Sequence, residues 1–197
     1  MIILASASPR RKEILEGLGV DFRVMVADVD ESSDERDPQR LTESLALRKG
    51  LAVWERLAKE RPDGIDPAEC TVISADTVVC CDGEIFGKPR DKADAARMIR
   101  KISGGEHTVV SGVAVVCGGV AKSRSCVTTV RVCELSEDEL MRYIDSGEPM
   151  DKAGSYAIQG KFSLWIEGID GCYFNVVGLP VNALQKLYFE CTGERLA

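Results

Sequence analysis

The sequence predicts an α/β protein in which helices flank a mixed, twisted sheet. A run of apolar residues at positions 1–6 precedes a helical pattern that begins near Ser8, as expected of a strand followed by a helix. Two further pairs of apolar segments flank the short turns Asp82-Gly83 and Gly118-Gly119, which are typical of antiparallel hairpins. Because single strands alternate with helices while other strands form hairpins, we expect both kinds of pairing in the sheet.

The first third of the chain is expected to hold two short strands and two helices. The strands are Met1–Ser6 and Phe22–Val26, which are apolar runs of strand length. A helix from Ser8 to about Leu18 lies between them, with Ser8 as the N-cap and a proline in the first turn. Apolar residues at helical spacing then predict a long amphipathic helix over Gln39–Lys59.

The middle of the chain predicts the two hairpins and one helix. Thr71–Cys80 is rich in β-branched and apolar residues, as expected of a central strand, and Glu84–Phe86 returns from its turn. Asp91 is the predicted cap of a helix that ends near residue 102. The strands His107–Cys117 and Ala121–Cys133 are expected to form the second and longer hairpin.

The last third of the chain predicts two helices separated by two short strands. Ser136 and Glu139 have the spacing of a capping box at the start of a helix. The segments Phe162–Ile166 and Cys172–Val176 are expected to be strands. A final helix is predicted from Pro180 to about residue 191.

The connections between these elements show no domain boundary. Asp28–Pro38 holds six acids and one arginine, and such a charge run is expected to be a solvated loop. Glu60–Glu69, with two prolines and one glycine, is expected to be a surface connection. No repeat or low-complexity segment divides the chain, so residues 1–197 are predicted to form a single domain.

Composition and charge exclude several classes of function. The 197 residues are 45% hydrophobic and 29% charged, which is ordinary for a globular protein. The net charge of −7 disfavours stable binding to nucleic acid or to an anionic membrane, because both require a basic surface. No apolar run approaches the roughly 20 residues that span a bilayer. The first charged residues follow the apolar start of the chain, whereas a signal peptide has its positive charges before the apolar segment.

The eight cysteines and the single histidine also restrict the chemistry. The cysteines form no CxxC motif and most lie in apolar runs, which favours buried, reduced thiols in a cytoplasmic protein. A redox pair at Cys80–Cys81 is the alternative. His107 is the only histidine and lies in a strand-like segment, so neither a histidine-based zinc site nor a Ser-His-Asp triad is predicted.

Arg10 and Arg11 are candidate phosphate ligands. They lie where a predicted strand ends and a helix begins, and the N–H groups and dipole of a helix N-terminus favour anions. Positive side chains oppose that dipole, so two arginines there suggest a ligand of opposite charge, which guanidinium groups bind in a bidentate manner. The alternative is two solvated arginines in a first helical turn.

Asp76 is the strongest candidate for a catalytic group. It interrupts the apolar strand TVISADTVV, where an ionised carboxylate is costly unless it is paired, bound to metal or functional. Thr77 follows it on the opposite face of the strand. The alternative is a structural aspartate that is hydrogen-bonded to a nearby arginine.

Four other features have weaker signals. Lys88 lies between a glycine and a proline, in a stiff turn that could direct its charge at a phosphate. Glu31 in the acidic loop and Lys49 on the long helix are surface charges by default. Gln159 precedes a glycine and could either contact a base edge or cap a turn. No P-loop, GxGxxG or GxSxG motif is present.

The motifs together are more specific than any one of them. ASASPRRKEIL, VDES, ALRKG, SADTVV, GKPRDKADA, KISGGEHTVVSGVAV, MDKAGSYAIQG and NVVGLP follow one another in the chain. In this order they resemble the Maf family of nucleoside triphosphate pyrophosphatases, from Ile2 to about Leu187. The resemblance implies a fold related to the inosine triphosphatases, with two lobes and a central cleft that holds a nucleotide.

The resemblance also implies a reaction and roles for single residues. Water attacks the α-phosphorus with the help of a divalent cation, Mg²⁺ or Mn²⁺, and the nucleoside monophosphate and pyrophosphate leave. Asp76 matches the family's general base, and Glu31 matches an acidic position that assists substrate, metal or water, so both are candidate metal ligands. The phosphate-binding positions of the family are matched by Arg10, Arg11, Lys49 and Lys88.

The resemblance favours one branch of the family. The set Arg10, Thr77 and Gln159 matches the branch that acts on dTTP and UTP, with modified pyrimidine nucleotides as further candidates, and it is absent from the branch that prefers 7-methyl-GTP. The small-molecule triphosphate is the expected partner, and a homodimer is compatible with the family. Two alternatives stay open at this point: a 7-methyl-GTP pyrophosphatase, and a non-catalytic, nucleotide-sensing regulator of septation.

Overall fold

The computed structural model describes residues 1–61 and 65–197, and its strands form one mixed sheet. The strands are β1 (Ile2–Leu4), β2 (Phe22–Val24), β3 (Thr71–Cys81), β4 (Glu84–Phe86), β5 (Glu106–Cys117), β6 (Val120–Val132) and β7 (Ile166–Asp170). The strand order is β2-β1-β3-β5-β6-β7, and β4 pairs with β3. Pairing is parallel between β1 and both β2 and β3, and antiparallel for β3–β4 and β6–β7. The predicted mixed α/β class is confirmed.

Five of the six α-helices in the described residues follow the predicted order along the chain, and the other, Tyr173–Val177, replaces a predicted strand. They are α1 (Pro9–Gly17), α2 (Pro38–Glu60), α3 (Lys92–Ile102), α4 (Glu137–Asp145), α5 (Tyr173–Val177) and α6 (Val181–Thr192). Asp91 caps α3 by accepting a hydrogen bond from a backbone N–H, and Ser136 and Glu139 form the predicted capping box of α4. In the part of the chain that is described, no helix has the length and apolar character needed to cross a membrane.

The chain divides into two compact units that share three strands. Unit 1 contains Met1–Asp76, Ser111–Cys126 and Gly178–Ala197, and unit 2 contains Thr77–Val110 and Val127–Val177. The strands β3, β5 and β6 therefore each contribute residues to both units. The single domain over residues 1–197 stays a prediction, as does the nucleotide cleft that the resemblance implies.

The core of unit 1 forms where α2 packs against the sheet. Val53 and Leu57 of α2 and Val72 of β3 are fully buried in one apolar cluster. The approach of helix to sheet is unusually close at Gly112 of β5, where a Cβ atom would lie 2.3 Å from the main-chain carbonyl of Thr42. Only glycine permits this contact, so Gly112 fixes how deeply α2 lies against β5.

The core of unit 2 contains a group of aromatic rings. Phe162 is fully buried, and its ring lies 5.1 Å from that of Tyr143, 4.9 Å from that of Tyr156 and 5.7 Å from that of Trp165. Tilted and edge-to-face arrangements at these distances add to the stabilisation that burial provides. Among the polar groups enclosed by this core is the ring of His107, whose Nε2 lies 2.7 Å from the Tyr156 hydroxyl.

We expect His107 to make the protein less stable as the pH falls from 7.5 to 5. Burial lowers the pKa of His107 from 6.5 to about 4, so over this range the unfolded chain takes up a proton that the folded chain does not. The free energy of unfolding should therefore drop by about 2 kcal/mol more in the wild type than in His107→Phe. Urea unfolding at pH 7.5 and 5 measures this difference, and equal drops in both proteins would contradict it.

Two predicted strands near the end of unit 2 are wrong. Most of Phe162–Ile166 lies in a 3₁₀ helix, Lys161–Trp165, and β7 starts at Ile166. Phe162 packs inward while Leu164 is 79% exposed, so the burial follows a helical turn and does not alternate as in a strand.

The predicted strand Cys172–Val176 is the short helix α5. The Cys172 carbonyl accepts hydrogen bonds from the N–H groups of Asn175 and Val176, which closes a helical turn. The Asn175 side chain donates to the Val109 carbonyl and to Thr128 Oγ1, both at 2.9 Å. These two tertiary hydrogen bonds hold the turn in place, and a local apolar pattern does not reveal them.

The other differences from the sequence analysis are small. Ser8 occupies the N-cap position of α1, but within the described residues its hydroxyl makes no capping hydrogen bond. The acidic loop 28–37 contains no helix or strand, as predicted. Of the predicted connection Glu60–Glu69, residues 62–64 lie outside the described residues, and Pro67–Glu69 form a 3₁₀ turn. The cysteines are thiols rather than disulfides, as predicted, but only Cys70 and Cys81 are buried, and Cys133 is exposed.

Candidate functional site

Charged side chains of unit 1 gather near the carboxyl end of β1. The strands β1 and β3 run parallel with Leu4 opposite Ile73, so β1 ends beside the middle of β3, which continues to Cys81. Arg10 and Arg11 occupy the first turn of α1, which starts five residues after β1 ends. Asp76 lies three residues beyond Ile73 on β3 and is 8% exposed. In open α/β sheets, ligands bind beyond the carboxyl ends of the strands.

The packing of α2 brings Lys49 to the same place, next to Asp76. The buried Ser74 hydroxyl donates a hydrogen bond to the Ala46 carbonyl at 2.6 Å. A Cβ atom at Gly50 would lie 2.7 Å from Ser74 Oγ, so helix and strand are in close contact here. Ser74 and Asp76 lie on the same face of β3, because side chains alternate along a strand. Lys49, next to Gly50, is therefore held beside Asp76.

Lys49 joins two carboxylates. Its Nζ donates to Asp76 Oδ1 at 2.6 Å and lies 2.9 Å from Glu31 Oε1. The side chains of Lys49 and Asp76 are only 14% and 11% exposed, whereas that of Glu31 is 60% exposed. The Lys49–Asp76 pair is therefore shielded from water. Charge interactions are stronger in such a shielded environment than at the protein surface.

The fold of the acidic loop explains why Glu31, among its acids, reaches Lys49. The Arg48 Nη1 group donates to the carbonyls of Asp30 and Ser32, on either side of Glu31. The Asp30 carboxylate accepts hydrogen bonds from the hydroxyl and the N–H of Ser32, at 2.7 and 2.9 Å, and these lower the pKa of Asp30. Arg48 and Lys49 are neighbours on α2, so the same helix holds the loop backbone and the Glu31 side chain.

Arg11 is held by one contact from a residue nearby in the chain and by one from the far end of the chain. Its Nε donates to the Gly178 carbonyl at 2.9 Å, and its Nη1 donates to Ser6 Oγ at 3.0 Å. Burial lowers the pKa of Arg11, the negative charges of Asp76 and Glu31 oppose that shift, and the positive charge of Arg10 adds to it. An arginine stays protonated even so, which gives the site a positive charge of fixed orientation.

Ser6 and Gly178 are site residues that sequence reasoning missed. Both lie in motifs that were recognised, ASASPRR and NVVGLP, but neither carries a charge that would draw attention to it. Ser6 Oγ also accepts a hydrogen bond from the Ser8 N–H at 3.2 Å, which shapes the turn between β1 and α1. The signal that could have found Ser6 is a small hydroxyl residue placed where a strand turns into a helix.

The remaining predicted residues, Thr77, Lys88 and Gln159, lie in unit 2. Thr77 is half-buried and directly follows Asp76 on β3. Lys88 is exposed, and the preceding carbonyl, of Gly87, accepts a hydrogen bond from the Gly154 N–H at 3.1 Å. Arg10, Arg11, Glu31, Lys49 and Asp76 all lie in unit 1. The roles assigned to both groups of residues stay predictions.

Gln159 lies on an anchored turn. It is exposed, and it precedes Gly160, where a Cβ atom would lie 2.1 Å from the Glu148 carboxylate. Glu148 also accepts a hydrogen bond from the Lys161 N–H at 3.0 Å. The carboxylate of Glu148 thus holds the main chain directly after Gln159, and a side chain at position 160 would displace that carboxylate.

The carboxylates of Glu31 and Asp76 fit a hard divalent cation that arrives with a phosphate ligand. Both reach the same ammonium group, Lys49 Nζ, so their oxygens face a common point. Mg²⁺ is typically bound by one or two carboxylates together with substrate phosphates and water. Across residues 1–61 and 65–197, no cluster of three or more histidine, cysteine or acidic side chains could hold a metal on its own.

The family model and the curated relatives agree on one family. The family model described as "Maf-like protein" matches residues 1–190. The chain is 46% identical over 187 residues to the dTTP/UTP pyrophosphatase of Koribacter versatilis, covering 94% of this chain and 92% of that protein. It is 43% identical over 189 residues to the dTTP/UTP pyrophosphatase of Acetivibrio thermocellus, covering 94% and 92%. Among solved structures, the Ham1 protein of Staphylococcus aureus matches at 16% identity with a TM-score of 0.46, over 66% of this chain and 71% of that one.

Proposed function

The chain belongs to the Maf family, and from this premise we propose that it hydrolyses dTTP and UTP to the nucleoside monophosphate and pyrophosphate. The relatives named dTTP/UTP pyrophosphatase are more than 40% identical over more than nine tenths of this chain, and they support the substrate class. The observation that carries the chemistry is the buried Lys49–Asp76 pair beside Glu31 and Arg11.

Asp76 is the general base of the proposed reaction. A water molecule attacks the α-phosphorus, Asp76 accepts its proton, and the bond from the α-phosphorus to the oxygen that bridges to the β-phosphorus breaks. Pyrophosphate leaves with the electron pair of that bond. In the free protein the hydrogen bond from Lys49 at 2.6 Å fixes the orientation of the Asp76 carboxylate.

The cationic side chains hold the triphosphate in position. Arg11 points its guanidinium in a direction set by Ser6 and Gly178, which suits bidentate binding of a phosphate group. Arg10 adds a second charge in the first turn of α1, where helix N–H groups also favour anions. We assign the same role to Lys49 and Lys88. Because phosphoryl transfer depends on positioning and charge neutralisation, these four cations supply most of the binding energy.

Glu31 and Asp76 are the proposed ligands of Mg²⁺ or Mn²⁺. When bound, such a cation neutralises phosphate charge and polarises the α-phosphoryl group. The two carboxylates need only supply part of its coordination, since phosphate oxygens and water complete it. Glu31, which is the more exposed of the two, is accessible to a cation that enters with the nucleotide.

Substrate choice is assigned to Arg10, Thr77 and Gln159. The side-chain amide of Gln159 can both donate and accept hydrogen bonds, as the edge of a uracil or thymine ring requires. The protein is proposed to act in the cytoplasm, which its reduced thiols suit, and on a small-molecule triphosphate. A homodimer is compatible with this proposal.

Pyrophosphate release tests the function directly. The wild-type protein is incubated with dTTP, UTP, CTP, 7-methyl-GTP or ITP, and with Mg²⁺, Mn²⁺ or no divalent cation. We expect metal-dependent turnover of dTTP and UTP that exceeds turnover of the other nucleotides at least tenfold. A preference for 7-methyl-GTP would overturn the assigned specificity, and no release from any nucleotide would overturn the assigned reaction.

A further inference from the structure

Lys49 occupies the position at which the two acidic side chains of the site converge. Its ammonium lies 2.6 Å from Asp76 Oδ1 and 2.9 Å from Glu31 Oε1. These distances are those of charge-assisted hydrogen bonds. The same two carboxylates are the proposed ligands of the divalent cation, so in this structure an internal cation already lies between them.

A divalent cation and the Lys49 ammonium cannot both be bound favourably by this pair. Each carboxylate oxygen that faces Lys49 would have to bind the metal ion instead, and the two cations would repel each other at short distance. The repulsion would be strong because Lys49 and Asp76 are both shielded from water, at 14% and 11% exposure. The ammonium must therefore find another anion before the metal ion binds tightly.

We propose that Lys49 makes metal binding depend on the nucleotide. In the free protein its ammonium holds Glu31 and Asp76 and keeps divalent cations out. When a triphosphate binds, its phosphate oxygens attract the ammonium, and the two carboxylates are released to the cation that accompanies the nucleotide. This inference rests on the proposed function, and it adds an order of events: the site accepts metal with the substrate and not before it.

Lys49 can leave the carboxylates without unfolding the site. Its side chain is long and flexible, and its head group shifts while the stem stays packed. The backbone at this point is held independently, by the Ser74 hydrogen bond to Ala46 and by the contact of Gly50 with Ser74. The loop that carries Glu31 is held by Arg48. A change in the Lys49 head group therefore leaves both carboxylates in place.

Binding of Mn²⁺ to the free protein tests the inference. The binding is followed by the electron paramagnetic resonance signal of free aqueous Mn²⁺, with no nucleotide present. We expect Lys49→Met to bind Mn²⁺ at least tenfold more tightly than the wild type, because the competing ammonium is gone. Lys49→Gln, which keeps a hydrogen-bond donor but no charge, should show the same gain. Equal or weaker binding by both variants would overturn the inference.

Two further variants show whether the gain arises at this pair. Lys59→Met removes a lysine from the last turn of the same helix and should leave Mn²⁺ binding at the wild-type level. Adding Glu31→Gln to Lys49→Met removes one ligand and should abolish the gain. If the gain survives Glu31→Gln, the metal ion binds elsewhere and the inference fails.

Failure of this inference and failure of the proposed function are distinguishable. If the wild type hydrolyses dTTP but neither Lys49 variant gains affinity for Mn²⁺, the function holds and the order of binding is wrong. If the variants gain affinity while the wild type releases no pyrophosphate from any nucleotide, the exchange of cations at the pair holds and the assigned reaction is wrong. Far-ultraviolet circular dichroism of each variant confirms that it is folded.

Discussion

Replacing Asp76 by asparagine is expected to reduce kcat for dTTP by about 10³-fold, because a positioned general base contributes on the order of 10²–10⁴ to such a rate. Asparagine has nearly the same shape and still accepts a hydrogen bond from Lys49, but it cannot take a proton from water. In the absence of a divalent cation, the same variant should bind a non-hydrolysable dUTP analogue as tightly as the wild type or more tightly, since it loses one negative charge near the phosphates. Pyrophosphate release and calorimetric titration measure the two quantities.

The control for this variant is the same substitution at the end of the same strand. Asp82 lies in the turn after β3 with a φ of 48°, a conformation that asparagine also accepts. Asp82→Asn should therefore keep wild-type kcat. A kcat within tenfold of the wild type for Asp76→Asn would show that Asp76 is not the base. Retained affinity without turnover would also remove the basis for a non-catalytic nucleotide sensor, because a sensor does not need this carboxylate.

The sequence predicts the type of each major element because these depend on local patterns. Patterns among residues that are close in the chain are enough to predict three of them: the strand Thr71–Cys81, the helix Pro38–Glu60 and the capping box at Ser136. The two wrong strands, near Phe162 and Cys172, are short and apolar. Such runs do not distinguish a strand from a helical turn, and tertiary hydrogen bonds decide between them.

The site likewise has some features that local sequence predicts and others that depend on contacts between distant residues. The isolated charge of Asp76 in an apolar strand is visible in the sequence, and so are the two arginines at a helix start. The pairing of Asp76 with Lys49 is not, because it depends on how closely Gly50 approaches Ser74. Contacts between residues far apart in the chain require the packed fold, and residue type alone does not give them.

Arg11 shows how much of the site depends on such long-range contacts. Gly178, whose carbonyl accepts the hydrogen bond from Arg11 Nε, is 167 positions away in the chain. The segment before α6 therefore lies against the first turn of α1 and fixes the direction of the Arg11 side chain there. Ser6 fixes the same guanidinium from the other end of the turn, through Nη1. An arginine held at two points loses little further freedom when it binds a phosphate.

Arg11→Ala is expected to lower kcat/KM for dTTP by about 10- to 150-fold, which corresponds to the roughly 1.5–3 kcal/mol of a lost charged hydrogen bond. Arg11→Lys keeps the charge but loses the two-point fixation, so its kcat/KM should fall between those of Arg11→Ala and the wild type. Arg40→Ala, which removes a solvent-exposed arginine from the first turn of α2, should have no effect. Steady-state kinetics of the three variants decide the matter. Equal losses in Arg11→Lys and Arg11→Ala would mean that the direction of the guanidinium matters more than its charge, whereas wild-type kinetics in both would return Arg11 to the class of structural arginines.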